Sequence, residues 1–357
     1  MLVLLLALGA GALFSEEGQV VGWTDPSVTP AETMPLAQRS LLLAVTQSAQ
    51  RAIAVGERGH VLLSESRSDW RQAQHVPTRS TLTAVAAVGN RIWAVGHDQV
   101  ILHSADGGET WGIQHVSPWT PENADDPGAS APLLSVLFLD EDNGFAVGAY
   151  GLLMRTFDGG LSWQREDLVQ ASDDGGVPDE DGDDNGDDNG WTFSDDDLTL
   201  DEEDDPHLNA IVRTGDGSLF IAAERGAAFR STDGGETWER ISLPYDGSMF
   251  GAIGYDGRHV VVFGLRGNAF DSKDLGDSWK RLETGVELSL MGGAPLADGG
   301  AVLVGANGVV LTRSAGEAGF RRSMHPDGVV LASALPIGGS RQIVVVGENG
   351  VGLYQIR

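Results

Sequence analysis

Four segments set a carboxylate in the same company. Ser104–Trp111 reads S-A-D-G-G-E-T-W, Thr156–Trp163 T-F-D-G-G-L-S-W, Ser231–Trp238 S-T-D-G-G-E-T-W and Ser272–Trp279 S-K-D-L-G-D-S-W. Asp106, Asp158, Asp233 and Asp274 have two chemistries open to them. A carboxylate beside hydroxyls can hold a cation or a sugar. It can instead accept from nearby backbone N–H groups and close a turn. Gly108, Gly160, Gly235 and Gly276 would then supply backbone geometry that other residues resist, and Trp111, Trp163, Trp238 and Trp279 would pack between neighbouring units. Eroded copies decide between the two. Ser64–Trp70 is one residue short and lacks the glycine, and Phe320 stands where a tryptophan belongs. A reacting group would not be repeated with such losses, so the segments are read as structural turns.

Other candidates are fewer. In the acidic stretch D-E-D-G-D-D-N-G-D-D-N-G, Asp181, Asp183, Asn185 and Gly186 fit the first half of a calcium loop, and Asp187 and Asn189 continue it. Position twelve of that loop is Thr192 instead of the bidentate Glu, and no helix pattern flanks it. The first reading is a solvated acidic tether; weak calcium binding is the alternative. The 8 histidines are scattered without ligand spacing, there is no cysteine, and no residue is nominated as a catalyst. No cofactor is expected apart from that calcium, and no small-molecule substrate.

The turns sit in a longer repeat. A-V-G-E-R-G-H-V-L-L-S at Ala54–Ser64 returns in looser form six more times, with markers Gly56, Gly96, Gly148, Ala223, Gly264, Gly305 and Gly347. Their spacings are 40, 52, 75, 41, 41 and 42 residues. Each unit reads as four short runs of β-formers bounded by Gly, Asn or Asp, the period of a propeller blade. The expectation is an all-β, seven-bladed propeller with four-stranded antiparallel blades, spanning 18–357 as one domain. The last copy stops after its third run, so an N-terminal strand around Val20–Val28 is expected to complete it and remove two open edges. The long spacings mark two insertions, a loop at 117–132 and an acidic, disordered insert at 170–206.

Composition agrees. The chain has 357 residues and 49 glycines, about twice the usual share of about 7%. Net charge is −29, but Asp173–Asp205 holds 17 acidic residues and no basic one. Such a balance argues against nucleic acid as a partner. Residues 1–14 read as a signal peptide: Leu2–Phe14 is too short an apolar run to span a bilayer, and Ala10-Gly11-Ala12 has the form of a cleavage site. The expected location is periplasmic or secreted, with membrane association if the N-terminal segment is retained.

The turn phrase resembles the Asp-box, or BNR, motif. The seven A-V-G-x-x-G-type turns followed by D-G-G-x-T-W turns, together with P-L-A-Q-R-S-L-L-L-A-V at Pro35–Val45, resemble the photosystem II stability/assembly factor-like family of seven-bladed propellers, in its bacterial, non-photosynthetic subgroup. The resemblance implies a non-catalytic scaffold that binds an envelope membrane-protein complex, and it permits an RND-type transporter as partner. Photosynthetic members hold their client with an arginine patch. Here matching arginines occur only at Arg58, Arg225 and Arg266, with Asp98, Tyr150, Asn307 and Asn349 at the remaining positions. Both insertions fall on the face of the G-x-x-G turns, and elaborated loops gather where function lives. The partner-binding face is therefore expected there, with Arg58, Arg225, Arg266, Tyr150 and Trp119.

Two alternatives remain. Sialidases also carry Asp-boxes, but they need a Tyr/Glu pair, an acid and three arginines on one site; of the 4 tyrosines only Tyr150 falls in an obvious rim loop. A glycan-binding or sialidase-like protein is one alternative; a calcium-dependent adhesion or matrix protein is the other.

Overall fold

The computed structural model describes residues 25–123, 125–126, 128–168, 205–338 and 341–356. Its strands form seven antiparallel sheets in chain order. The first holds β1 (Leu42–Gln47), β2 (Ala52–Gly56), β3 (Val61–Ser64) and β4 (Arg71–Gln72). The second holds β5 (Leu82–Val88), β6 (Arg91–Gly96), β7 (Ile101–Ser104) and β8 (Gly112–His115). The third holds β9 (Leu133–Phe138), β10 (Gly144–Gly148), β11 (Leu153–Thr156) and β12 (Gln164–Glu166). The fourth holds β13 (Leu208–Arg213), β14 (Leu219–Ala223), β15 (Ala227–Ser231) and β16 (Glu239–Ser242). The fifth holds β17 (Met249–Gly254), β18 (Val260–Gly264), β19 (Ala269–Ser272) and β20 (Lys280–Arg281). The sixth holds β21 (Leu290–Pro295), β22 (Ala301–Gly305), β23 (Val309–Arg313) and β24 (Arg321–Met324), and the seventh β25 (Leu331–Pro336), β26 (Gln342–Gly347) and β27 (Gly350–Gln355). First strands touch in the series β1, β5, β9, β13, β17, β21, β25 and back to β1, which closes the ring. The protein is an all-β, seven-bladed propeller.

The second strand of each blade is the most apolar, and it is buried along nearly its whole length. Strand alternation sends its side chains to both sheet faces. The core is accordingly seven clusters, one at each seam between blades. Ile53, Val55 and Leu63 of blade 1 meet Leu82, Ile92 and Leu102 of blade 2, and Leu42, Ala54 and Leu62 meet Val346 where the ring closes. Tryptophans of the D-G-G turns join these seams, with Trp111, Trp163, Trp238 and Trp279 in four successive ones and Phe320 in the next.

One expectation needs adjusting. The described sheet of blade 7 has three strands. Pro26–Val28, the described end of the segment expected as its fourth, forms a 3-10 turn. Asp25 accepts from the Ser27 N–H at 2.9 Å, and Pro26 at the first turn position favours the same geometry. The turn is fastened to blade 2's approach, where the Arg79 N–H donates to the Pro26 carbonyl at 2.7 Å. Residues 20–24, the leader at 1–14 and the calcium candidates Asp181, Asp183, Asn185, Asp187 and Asn189 lie outside the described residues.

Candidate functional site

The D-G-G turns link third to fourth strands and repeat one geometry four times. In blade 4 the Ser231 hydroxyl donates to Asp233 Oδ1 at 2.7 Å and accepts from the Gly235 N–H at 2.8 Å. Asp233 also accepts from the Thr237 N–H at 3.0 Å and the Thr237 hydroxyl at 2.6 Å. Asp106, Asp158 and Asp274 make the corresponding bonds. The Thr237 hydroxyl, with Ser231 helping, holds the Asp233 carboxyl down at about 2, and Ser278 does the same for Asp274. Every carboxylate is thus occupied by its own turn. Gly108, Gly160, Gly235 and Gly276 have φ of 93°, 89°, 90° and 98°. Each lies against the preceding blade: a Cβ on Gly235 would stand 2.4 Å from Phe145 Cζ, and one on Gly276 2.4 Å from Ile241 Cδ1. The turns are clasps between blades.

A second layer of the clasp was not visible in the sequence. Arg155 of blade 3, nearly buried, donates to the carbonyls of Gly235 and Gly234 at 3.0 and 3.3 Å and to Glu236 at 2.7 Å. Arg230 of blade 4 meets Asp277 of blade 5 at 2.5 Å, and Arg51 of blade 1 meets Glu109 of blade 2. The partners lie up to 81 residues apart, one repeat onward.

The opposite face carries the G-x-x-G turns. In six blades the third residue of the turn is left-handed: Arg58, Asp98, Tyr150, Arg225, Arg266 and Asn307 have φ of 54° to 57°. The same backbone conformation at the same place in each blade projects these side chains from one rim. Arg58, Tyr150, Arg225 and Arg266 are all exposed. Tyr150, Arg225 and Arg266 stand on consecutive blades 3, 4 and 5, and exposed Trp119 sits in the link from β8 to β9, between blades 2 and 3. Tyr150 packs edge-on against His207, with ring centroids 5.0 Å apart, and His207 Nδ1 lies 3.5 Å from Glu224, the neighbour of Arg225. Four of the five expected residues thus occupy one arc. Arg58 stands apart on blade 1, beside Arg79, His60 and Met34.

The turns also fix the insertions to this rim. Elsewhere the fourth turn residue is glycine because the chain linking two blades runs against it; a Cβ on Gly59 would fall 2.1 Å from the Thr78 carbonyl oxygen, and one on Gly267 2.2 Å from that of Val286. Blade 2 has Gln99 there, at φ 50°. Its link detours through 117–132, which leaves room for a side chain, and the Gln99 amide donates to the carbonyls of Gly128 and Ala129 at 2.7 and 3.0 Å. The Ser117 N–H donates to the Asp98 carbonyl at 2.8 Å, and the Gly151 N–H to that of Pro206 at 3.1 Å, so both insertions leave or return at these turns. A β-bulge at the G-x-x-G end of each first strand, noted between Leu42 and Ala44 and its counterparts, also escaped sequence reading. It turns Thr83 and Asn209 to donate to the carbonyls of Leu133 and Met249 on the next blade.

Among the described residues no group of His, Asp and Glu is arranged to hold a metal ion. What fold and turns define is a seven-bladed Asp-box propeller, with clasps on one face and a rim of left-handed turns on the other. No protein-family profile matches the chain. The photosystem II assembly lipoprotein Ycf48 of Prochlorococcus marinus is 31% identical over 154 residues, covering 36% of this chain and 40% of that protein. The protein of the same name from a Synechococcus strain is 29% identical over 144 residues, covering 34% and 40%. The chain therefore matches about two fifths of the length of these curated relatives. Among solved structures, YCF48 bound to a D1 peptide aligns with TM-score 0.62 at 18% identity over 92% of this chain and 99% of that one. YCF48 from Cyanidioschyzon merolae aligns with TM-score 0.60 at 17% identity, covering 90% and 97%. The two relatives carry the name of the photosystem II assembly family that the repeats resemble, matched over about two fifths of their length, and the solved neighbours share the propeller fold.

Proposed function

We propose that the chain is a non-catalytic assembly or stability factor that docks a membrane-protein complex on its G-x-x-G rim. The observation that carries this is the arc of Trp119, Tyr150, Arg225 and Arg266, presented from rigid, repeated turns on the face that also bears both insertions. Exposed aromatics and arginines are the residue types that anchor interfaces. The relatives' name supports the class, since they are assembly lipoproteins, and the solved neighbour holds a peptide of D1. The same name supports membrane association. An RND-type transporter as partner draws no support from these relatives.

The test is capture from detergent-solubilised membranes of the source cell with tagged protein. The parent and an Arg321→Glu control on the clasp face should retain one membrane-protein complex. Reversal at Arg225→Glu with Arg266→Glu should lose it, with unchanged circular dichroism. Equal capture by the reversed variant would defeat the assignment of the rim.

A further inference from the structure

Blade 6 breaks the clasp in a way that creates a site. Aligned on the other turns, Arg313 occupies the place of the serine, Ala315 that of the aspartate and Ala318 that of the acidic residue held by the preceding blade. Blade 5 is altered to match: Asp271 stands where blades 3 and 4 have Arg155 and Arg230. The charges of the seam are exchanged, yet Arg313 forms no ion pair within 4.0 Å among the described residues. Asp271 is taken by His259, 2.5 Å away, with Lys273 at 3.8 Å. A cavity of about 600 Å³ opens between the two blades, with Arg313 on its wall.

Arg313 is more than nine-tenths buried, and its Nε has no hydrogen-bond partner. Its guanidinium lies over Phe320, 5.5 Å from the ring centroid. A guanidinium taken out of water without an anion is costly, and a planar fork is matched best by an oxyanion. The other cations at the wall are Lys273 and Lys280. Its acids are Asp256, Asp271 and Glu317; Glu317 already accepts from the Ser314 N–H at 3.2 Å and pairs with Arg321. Tyr255 stacks on His259 with centroids 4.4 Å apart, and its hydroxyl, which donates to the Gly300 carbonyl at 3.1 Å, also lies within reach of the Arg313 guanidinium. With Asp271 and Glu317 engaged, the Arg313 Nε and Lys280 remain to face a ligand, and Asp256 is the remaining acid of the wall.

We infer that the cavity between blades 5 and 6 binds a small oxyanion, a carboxylate or phosphate group, with Arg313 as its buried partner and the two lysines at its mouth. The site lies on the clasp face, across the wheel from the proposed docking rim, so it stands or falls independently of that reading.

Calorimetric titration of the purified chain with inorganic phosphate and with succinate, at matched ionic strength, tests it. The expected result is saturable binding of at least one probe to one site per chain, lost at least tenfold in Arg313→Met. Binding of phosphate alone or succinate alone would assign the group and support the site. Lys273→Met with Lys280→Met should weaken binding severalfold, which keeps the test open if Arg313→Met fails to fold. No saturable heat with either probe, or undiminished binding in both variants, would overturn the inference.

Discussion

Gly234 and Gly235 are neighbours with similar backbones and different surroundings, and they separate two costs. Gly234 has φ 78°, and a Cβ there would meet nothing within 4 Å. Gly235 has φ 90°, and its Cβ would stand 2.4 Å from Phe145 Cζ and 2.7 Å from Cε1. Gly234→Ala therefore carries only the left-handed penalty, about 1–2 kcal/mol. Gly235→Ala carries that penalty and the displacement of a fully buried ring, about 1–3 kcal/mol more. Equilibrium urea unfolding followed by tryptophan fluorescence should give a total loss of about 2–5 kcal/mol for Gly235→Ala, the sum of the two terms. Phe145→Leu removes the obstructing atoms. In that background the extra cost of Gly235→Ala should shrink, a coupling of at least about 1 kcal/mol between touching residues. If both alanine variants lose the same stability, or if Phe145→Leu leaves the difference intact, the reading of the turn as a clasp pressed on the preceding blade is wrong.

Acid should loosen the clasps in a defined window. Asp233 and Asp274 fall from 3.8 unfolded to about 2 folded, so their stabilisation is present above about pH 4 and lost as pH drops toward 2; Asp233→Asn with Asp274→Asn should flatten the pH dependence of unfolding free energy there. Arg155→Ala should cost about 2–4 kcal/mol, because it bares two carbonyls and removes a packed guanidinium, whereas Glu236→Ala, whose side chain is 65% exposed, should cost under about 1 kcal/mol in the same urea assay. Gln99→Gly should leave the unfolding midpoint nearly unchanged, since it relieves a strained φ while losing two loop bonds, but it should speed proteolytic cutting within 117–132.

The seven-fold plan was legible because the chain writes it seven times, and each D-G-G-x-T-W phrase contains its own hydrogen-bond partners. Arg155 and Glu236 were not, since the two halves of that bond lie in different repeats and pair only once the blades are stacked. The left-handed conformation of Arg58, Tyr150 and Arg266 was hidden for another reason: arginine and tyrosine disfavour positive φ, and only the packed turn imposes it. Gln99, where the other turns have glycine, was passed over in the sequence, since its meaning lies in the longer link beside it. The N-terminal segment was misjudged at Val28 because the strand-like run was read ahead of the Asp25-Pro26-Ser27 cap, a signal that was present in the sequence.

Because each complete Asp-box grips the blade before it, the wheel is bolted unevenly. The seams from blade 1 through blade 5 carry carboxylate bolts at Asp106, Asp158, Asp233 and Asp274, while those from blade 5 round to blade 1 lack that bolt among the described residues and combine apolar packing with single bonds such as Tyr255 to Gly300 and Tyr354 to Met324. Spontaneous breathing should therefore begin on the second arc, and amide protons of β22 and β26 should exchange before those of β6 and β14. Such a ring has one stiff half, under the proposed docking arc, and one yielding half where the circle can spring open.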